Sequence, residues 1–173
     1  MIYVVRHGQT DWNLRKRFNG STDSPLNQTG IMQAEMQAEK LNKISFDISF
    51  CSPKKRAVQT CEIICKGNYI TDDRLLEINC GEFEGAEETA ENMKAFWQAV
   101  LCGNNGAEKF SDFMVRNCEF CDMIADNYKG KNILIITHAA NVRVIKYYFS
   151  GKPKDFDFTK AVAKNGEILI FDN

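Results

Sequence analysis

The chain contains two histidines, His7 and His138. Histidine can serve as nucleophile, acid or base near neutral pH. His7 lies in the run Val5-Arg6-His7-Gly8-Gln9-Thr10-Asp11-Trp12-Asn13, directly after a short apolar, β-branched stretch. His138 follows Ile133-Leu134-Ile135-Ile136-Thr137, the strongest buried-strand signal in the chain. In an open α/β sheet, ligands sit beyond the carboxyl ends of the strands. Both histidines fall at such ends, so neighbouring strands would bring them to one site. Arg6 adds a planar fork of donors suited to phosphate. Gly8 lets the backbone approach an anion closely. The expected ligand is therefore a phosphate. The Arg-His-Gly tripeptide alone fits a surface arginine and a helix-entry histidine equally well; the position of the second histidine tips the balance.

Patterning predicts the elements that must hold these residues. Residues 2–5 read as a buried strand. Residues 31–41 place Ile31, Ala34, Ala38 and Leu41 on one helical face, with Thr29 as the expected N-cap. A second strand covers 46–51. Ser52 then reads as an N-cap with Pro53 at the first helical position, opening a helix that runs to about Lys66 and stops at Gly67. Short strands follow at 69–71, 132–137 and 167–171, with a helix over 141–149. The alternation predicts an α/β three-layer sandwich, a mostly parallel central sheet flanked by helices. Residues 86–131 break it. Two helices, 86–101 and 107–128, are expected there as a small helical cap over the active site, inside one domain spanning 1–173. Phe83, Met93, Phe96 and Trp97 are candidates for an apolar wall, with burial in the core as the competing reading.

Composition narrows the classes. A chain of 173 residues and 19.7 kDa corresponds to about one domain. Apolar residues at 44% and charged residues at 26% argue for a globular protein and against disorder. No apolar run nears the roughly 20 residues that span a bilayer. With 22 basic and 23 acidic residues, nothing favours general nucleic-acid binding. The seven scattered cysteines and the start Met-Ile-Tyr-Val-Val-Arg-His suggest a reducing, cytoplasmic setting. Cys118 and Cys121 form a CxxC pair without the second pair a zinc site wants, so no metal is expected.

Taken in order, the blocks of the chain resemble the histidine phosphatase superfamily, the phosphoglycerate mutase-like clan. They are Arg6-His7-Gly8-Gln9-Thr10-Asp11-Trp12-Asn13; Arg17-Phe18-Asn19-Gly20; Asp23-Ser24-Pro25-Leu26-Asn27 with Thr29-Gly30; Ser52-Pro53-Lys54-Lys55-Arg56-Ala57-Val58-Gln59-Thr60; Leu76-Glu77 through Glu84-Gly85; and Thr137-His138. The resemblance implies that His7 attacks phosphorus and becomes a phosphohistidine. For that it must be neutral, with its other ring nitrogen donating to a backbone carbonyl. It implies that Arg6, Arg56 and His138 surround the equatorial oxygens. Gly8, Asn13, Asn19, Gly20 and the amide of Ala139 would add donors. Glu77 would protonate the leaving oxygen and later activate water, with Glu82 and Glu84 as neighbours able to compete, though Glu84 reads better as structural. No cofactor or metal is implied. Ala139-Ala140 replace the family's frequent Gly-Gly, which would strain the chain if position 139 needs a positive φ. Gln9 stands where the family often has Glu.

Within the family that the chain resembles, the short, aromatic and acidic 86–131 segment favours a phosphatase acting on small cytoplasmic phosphates, and the resemblance implies substrates such as α-ribazole phosphate, sugar phosphates or phosphoglycerates. The alternatives are a cofactor-dependent phosphoglycerate mutase and a catalytically inactive phosphate-binding module. Neither nucleic-acid nor membrane partners are expected, and monomer and homodimer both stay open.

Overall fold

Successive side chains of a strand point to opposite faces of a sheet, and the apolar residues here divide accordingly. The computed structural model describes residues 1–158, 161 and 163–172. In them β1 (Ile2–Arg6), β2 (Ile48–Cys51), β3 (Ile70–Thr71), β4 (Ile133–Thr137) and β5 (Ile168–Phe171) form one sheet, ordered β3-β2-β4-β1-β5. The first four run parallel, and β5 joins the β1 edge antiparallel. The predicted three-layer α/β sandwich is the observed one.

On one face Ile2, Val4, Phe50, Ile133 and Ile135 pack against α5 (Phe110–Asn127) and α6 (Ala139–Phe149). On the other, Val5, Cys51, Leu134 and Ile136 meet α2 (Gln28–Leu41) and α3 (Lys55–Cys65). All five β4 residues are buried, which explains their continuous apolar run. Each buried Ile or Leu contributes about 1.5–3 kcal/mol.

The 86–131 segment does not act as one cap. Phe120, Cys121 and Ile124 of α5 belong to the central core, so α5 is a layer helix of the sandwich. Only α4 (Ala90–Cys102) stands at the end of the sheet where β1 and β4 terminate. Its helical period matches α5, but only tertiary packing decides which of the two lies on the sheet.

Two caps differ from expectation. α2 starts after Asn27, whose Oδ1 accepts the Gly30 N–H at 2.9 Å, so Thr29 lies inside the helix. α3 starts after Lys54; its first free amide, Lys55 N–H, donates to Asp23 Oδ1 at 2.6 Å. A carboxylate from a distant loop replaces the local Ser52 cap. α3 is capped at its carboxyl end by Lys66, in the left-handed region with φ 53°, just before Gly67.

Candidate active site

β1 and β4 are paired with Arg6 opposite Thr137, so the chain leaves the sheet at both places side by side. His7 N–H donates to Thr137 O at 3.0 Å, and the His7 and His138 ring centroids lie 5.1 Å apart. The two histidines therefore do meet.

His7 is buried, and its Nδ1 lies 2.7 Å from Gly8 O. A carbonyl only accepts, so Nδ1 carries the proton and Nε2 keeps its lone pair. Burial, then the charges of Arg56 and Arg6, hold the ring's pKa well below the ordinary histidine value. A neutral imidazole with a free Nε2 is what nucleophilic attack requires.

His138 is also buried, and burial followed by Arg56 depresses its pKa in the same way. Arg56 Nε–H donates to its Nδ1 at 3.2 Å, which leaves Nε2–H to donate to Ser52 Oγ at 2.7 Å. Both nitrogens are thus engaged by protein. Arg56 is fully buried as well, donating to Thr22 O at 2.8 Å and to Asn19 O and Gly20 O at 3.0 Å each. Arg56 and His138 are not among the residues of the pocket wall, and Arg56 acts on His7 through its charge. Ser52, expected as a helix cap, is the anchor of His138.

The pocket itself holds about 130 Å³ and has Arg6, His7, Asn13, Asn19, Glu77 and Ala139 in its wall. Arg6 donates through Nη1 to Ala163 O at 2.6 Å, while no described residue accepts its buried Nε–H. Asn13 Oδ1 accepts from Thr10 N at 3.1 Å in the capping box of α1 (Asp11–Leu14). Asn19 Nδ2 donates to Ser24 Oγ at 2.8 Å, and its buried Oδ1 has no described partner. Ala139 opens α6 with ordinary helical backbone and is not among the positive-φ residues, so Ala-Ala carries no strain.

Glu77 follows the 3₁₀ turn Asp73–Leu75. Its Oε1 accepts from Ile78 N at 2.9 Å and its Oε2 from Ala140 N at 3.4 Å, at the start of α6. Arg116 of α5 fixes the backbone beneath it, donating to Arg74 O and Leu76 O at 2.7 Å each while paired with Glu108 at 2.6 Å. The neighbours do not compete for the pocket. Glu82 is exposed. Glu84 accepts the N–H groups of Gly20 at 3.0 Å, Ser21 at 3.1 Å and Thr22 at 2.9 Å, a structural role.

Gly8 and Gly20 are corrected as phosphate donors. The Gly8 N–H is taken by Thr60 Oγ1 at 3.1 Å and that of Gly20 by Glu84. Both are glycine for close approach instead: a Cβ would lie 2.3 Å from Gly30 O at position 8 and 2.5 Å from Ile78 O at position 20. Met93, Phe96 and Trp97 do line the pocket. Phe83 does not, and packs behind on Phe96 at 5.8 Å between centroids.

Patterning missed several contributors, among them Arg17 and Glu88 in the pocket wall. Arg143, one turn into α6, reaches the pocket with a buried Nε–H that no described residue accepts. Burial lowers its pKa, and the charge of Glu77 opposes the shift. A polar residue within an apolar helical run was the available signal. Asn165, before β5, donates through Nδ2 to His7 O at 3.0 Å and Asn13 Oδ1 at 3.3 Å; nothing in its local sequence marks it.

Comparison with known proteins adds to this geometry. The family model described as "Histidine phosphatase superfamily (branch 1)" matches residues 2–172. The chain is 31% identical over 164 residues to "Uncharacterized phosphatase PhoE" of Bacillus subtilis (strain 168), covering 93% of this chain and 83% of that protein. It is 38% identical over 104 residues to "Probable phosphoglycerate mutase GpmB" of Proteus mirabilis (strain HI4320), covering 58% of this chain and 48% of the relative. Among solved structures, Bacillus stearothermophilus YhfR superposes with a TM-score of 0.80 at 29% identity, over 96% of this chain and 88% of that one.

Proposed function

The chain belongs to the histidine phosphatase superfamily, and from that premise we propose that it is a metal-independent phosphomonoesterase acting on small phosphorylated metabolites in the cytoplasm through a phosphohistidine. The observation that carries the reading is His7: a buried, neutral ring with Nδ1 tied to Gly8 O and Nε2 left for the pocket. The pocket beside it offers a cation, Arg6, and a carboxylate, Glu77.

In the first step His7 Nε2 bonds to phosphorus and the ester P–O bond breaks. Protonated Glu77 gives its proton to the leaving oxygen, and the alcohol departs. In the second step Glu77, now a carboxylate, takes a proton from water. The water oxygen bonds to phosphorus, the P–N bond breaks, and phosphate and neutral His7 are restored. Arg6 donates to the phosphoryl oxygens. Asn13 and the Ala139 amide, at a helix N-terminus, add neutral donors. Arg56 acts as a fixed positive charge, oriented by His138 and by three loop carbonyls, which lowers the cost of charge built up in the transition state. The seven free thiols are consistent with a reducing compartment.

The test is hydrolysis of p-nitrophenyl phosphate in the presence of EDTA. Activity that disappears with the chelator and returns with Mg²⁺ overturns the reading. His7→Ala is expected to abolish turnover and ³²P labelling of the protein together; retained labelling assigns the nucleophile elsewhere. The relatives named as mutases favour a second reading, phosphoryl transfer between positions of phosphoglycerate. Incubating 3-phosphoglycerate with a bisphosphoglycerate primer separates the two: free phosphate supports the phosphatase, 2-phosphoglycerate the mutase.

A further inference from the structure

The catalytic pocket does not end at Trp97. Trp97 and Arg143 are shared with a second hollow of about 310 Å³, whose other walls are Leu101, Phe110 and Phe158. This hollow is formed where the end of α4 faces the start of α5, and Phe110 and Phe158 stack edge to face across it at 5.7 Å. Of the five described side chains that line it, four are apolar, and the fifth, Arg143, stands at the junction with a buried Nε–H that no described residue accepts. Glu77, the proposed proton donor to the leaving group, lines the same pocket as Arg143.

Resting on the phosphatase reading, we propose that this hollow is the leaving-group subsite, and that the preferred substrates are phosphomonoesters whose alcohol bears an apolar, ring-sized group a short linker away from the ester oxygen. The phosphoryl group occupies the pocket at Arg6 and His7. The linker passes Trp97 and Arg143, where an acceptor atom on it is satisfied by the Arg143 Nε–H. The apolar end fills the hollow. Continuity with the catalytic pocket argues for the substrate itself as occupant, because anything seated in the hollow shares two walls with the reacting ester. A leaving group ending in a cation would lose its hydration there without a partner.

The test compares propyl phosphate with 3-phenylpropyl phosphate, whose leaving alcohols differ little in acidity. Burial of the ring is expected to raise kcat/KM about tenfold or more for the longer ester. Leu101 is 64% exposed, so Leu101→Glu is tolerated by the fold while placing a charge at the hollow. In that variant the ratio of the two kcat/KM values should fall towards one, and hydrolysis of propyl phosphate reports that the protein remains folded. Equal kcat/KM for the two esters in the parent protein, or a ratio that Leu101→Glu does not move, overturns the subsite and leaves the phosphatase reading intact. Hydrolysis of neither ester overturns both.

Discussion

At the scale of single residues, protonation states divide the work. His7 stays neutral because burial and two arginines disfavour its charged form. His7 should therefore stay able to attack as pH falls through the ordinary histidine value of about 6.5, and phosphoenzyme formation at pH 5.5 should be no lower than at pH 7.5. Loss of labelling with a midpoint near 6.5 would show that the ring titrates normally. In the proposed mechanism Glu77 is the acid. Glu77→Gln removes the acid, while its single amide oxygen can still accept the Ile78 N–H that Oε1 accepts in the parent. Turnover should fall by about 10²–10⁴-fold, with the inhibition constant for inorganic phosphate changed less than about threefold, since a phosphate-site role and an acid role separate in those two readouts. An unchanged rate moves the acid to another carboxylate.

At the scale of elements, the loop after α1 carries more than its sequence announces. Its carbonyls at Asn19, Gly20 and Thr22 hold Arg56, while its amides at Gly20, Ser21 and Thr22 are gathered by one carboxylate, Glu84. A loop in which acceptors fix a cation and donors fix an anion has little freedom left. Hydrogen bonds to a charged acceptor contribute about 1.5–3 kcal/mol each. Glu84→Gln should therefore destabilise the protein by about 1–3 kcal/mol, measured as a lower urea midpoint, and should lower kcat/KM by loosening Arg56. A midpoint equal to the parent's would show that the loop holds itself. The elements were largely legible in the sequence as strands and helices, because burial on one or both faces writes a period into the chain. The caps of α2 and α3 were not. Asn27 and Asp23 won over Thr29 and Ser52 because the better-placed acceptor caps a helix, and placement depends on where the preceding loop runs.

At the scale of the whole molecule, a mostly parallel sheet covered on both faces buries two histidines at the carboxyl ends of β1 and β4. In the folded state each has a pKa well below its unfolded value of about 6.5. Below that pH the unfolded chain binds protons that the folded one does not, so stability rises with pH up to about 6.5 and is lost as pH falls beneath it. Each histidine contributes a slope of about 1.4 kcal/mol per pH unit. Urea unfolding at pH 5 and pH 7 should show a smaller difference for His138→Gln than for the parent; equal differences would mean that His138 is not held neutral by burial.

The sequence by itself determined the family, the α/β sandwich and the identity of the chemically able residues. Strand hydrophobicity, and the few residue types that suit phosphate, are local properties that survive without a structure. Arg6, His7, Asn13, Asn19, Glu77 and Ala139 do converge on one pocket. Only the tertiary structure decided which groups face that pocket and which are used up. Arg56 and His138 are bonded to each other, Arg56 also to loop carbonyls and His138 to Ser52. Gly8 and Gly20 serve close approach, and α5 is core. Arg143, Asn165 and Ser52 come from distant segments. A hydrogen-bonding group has a limited number of partners. The sequence lists the groups, and only folding assigns the partners.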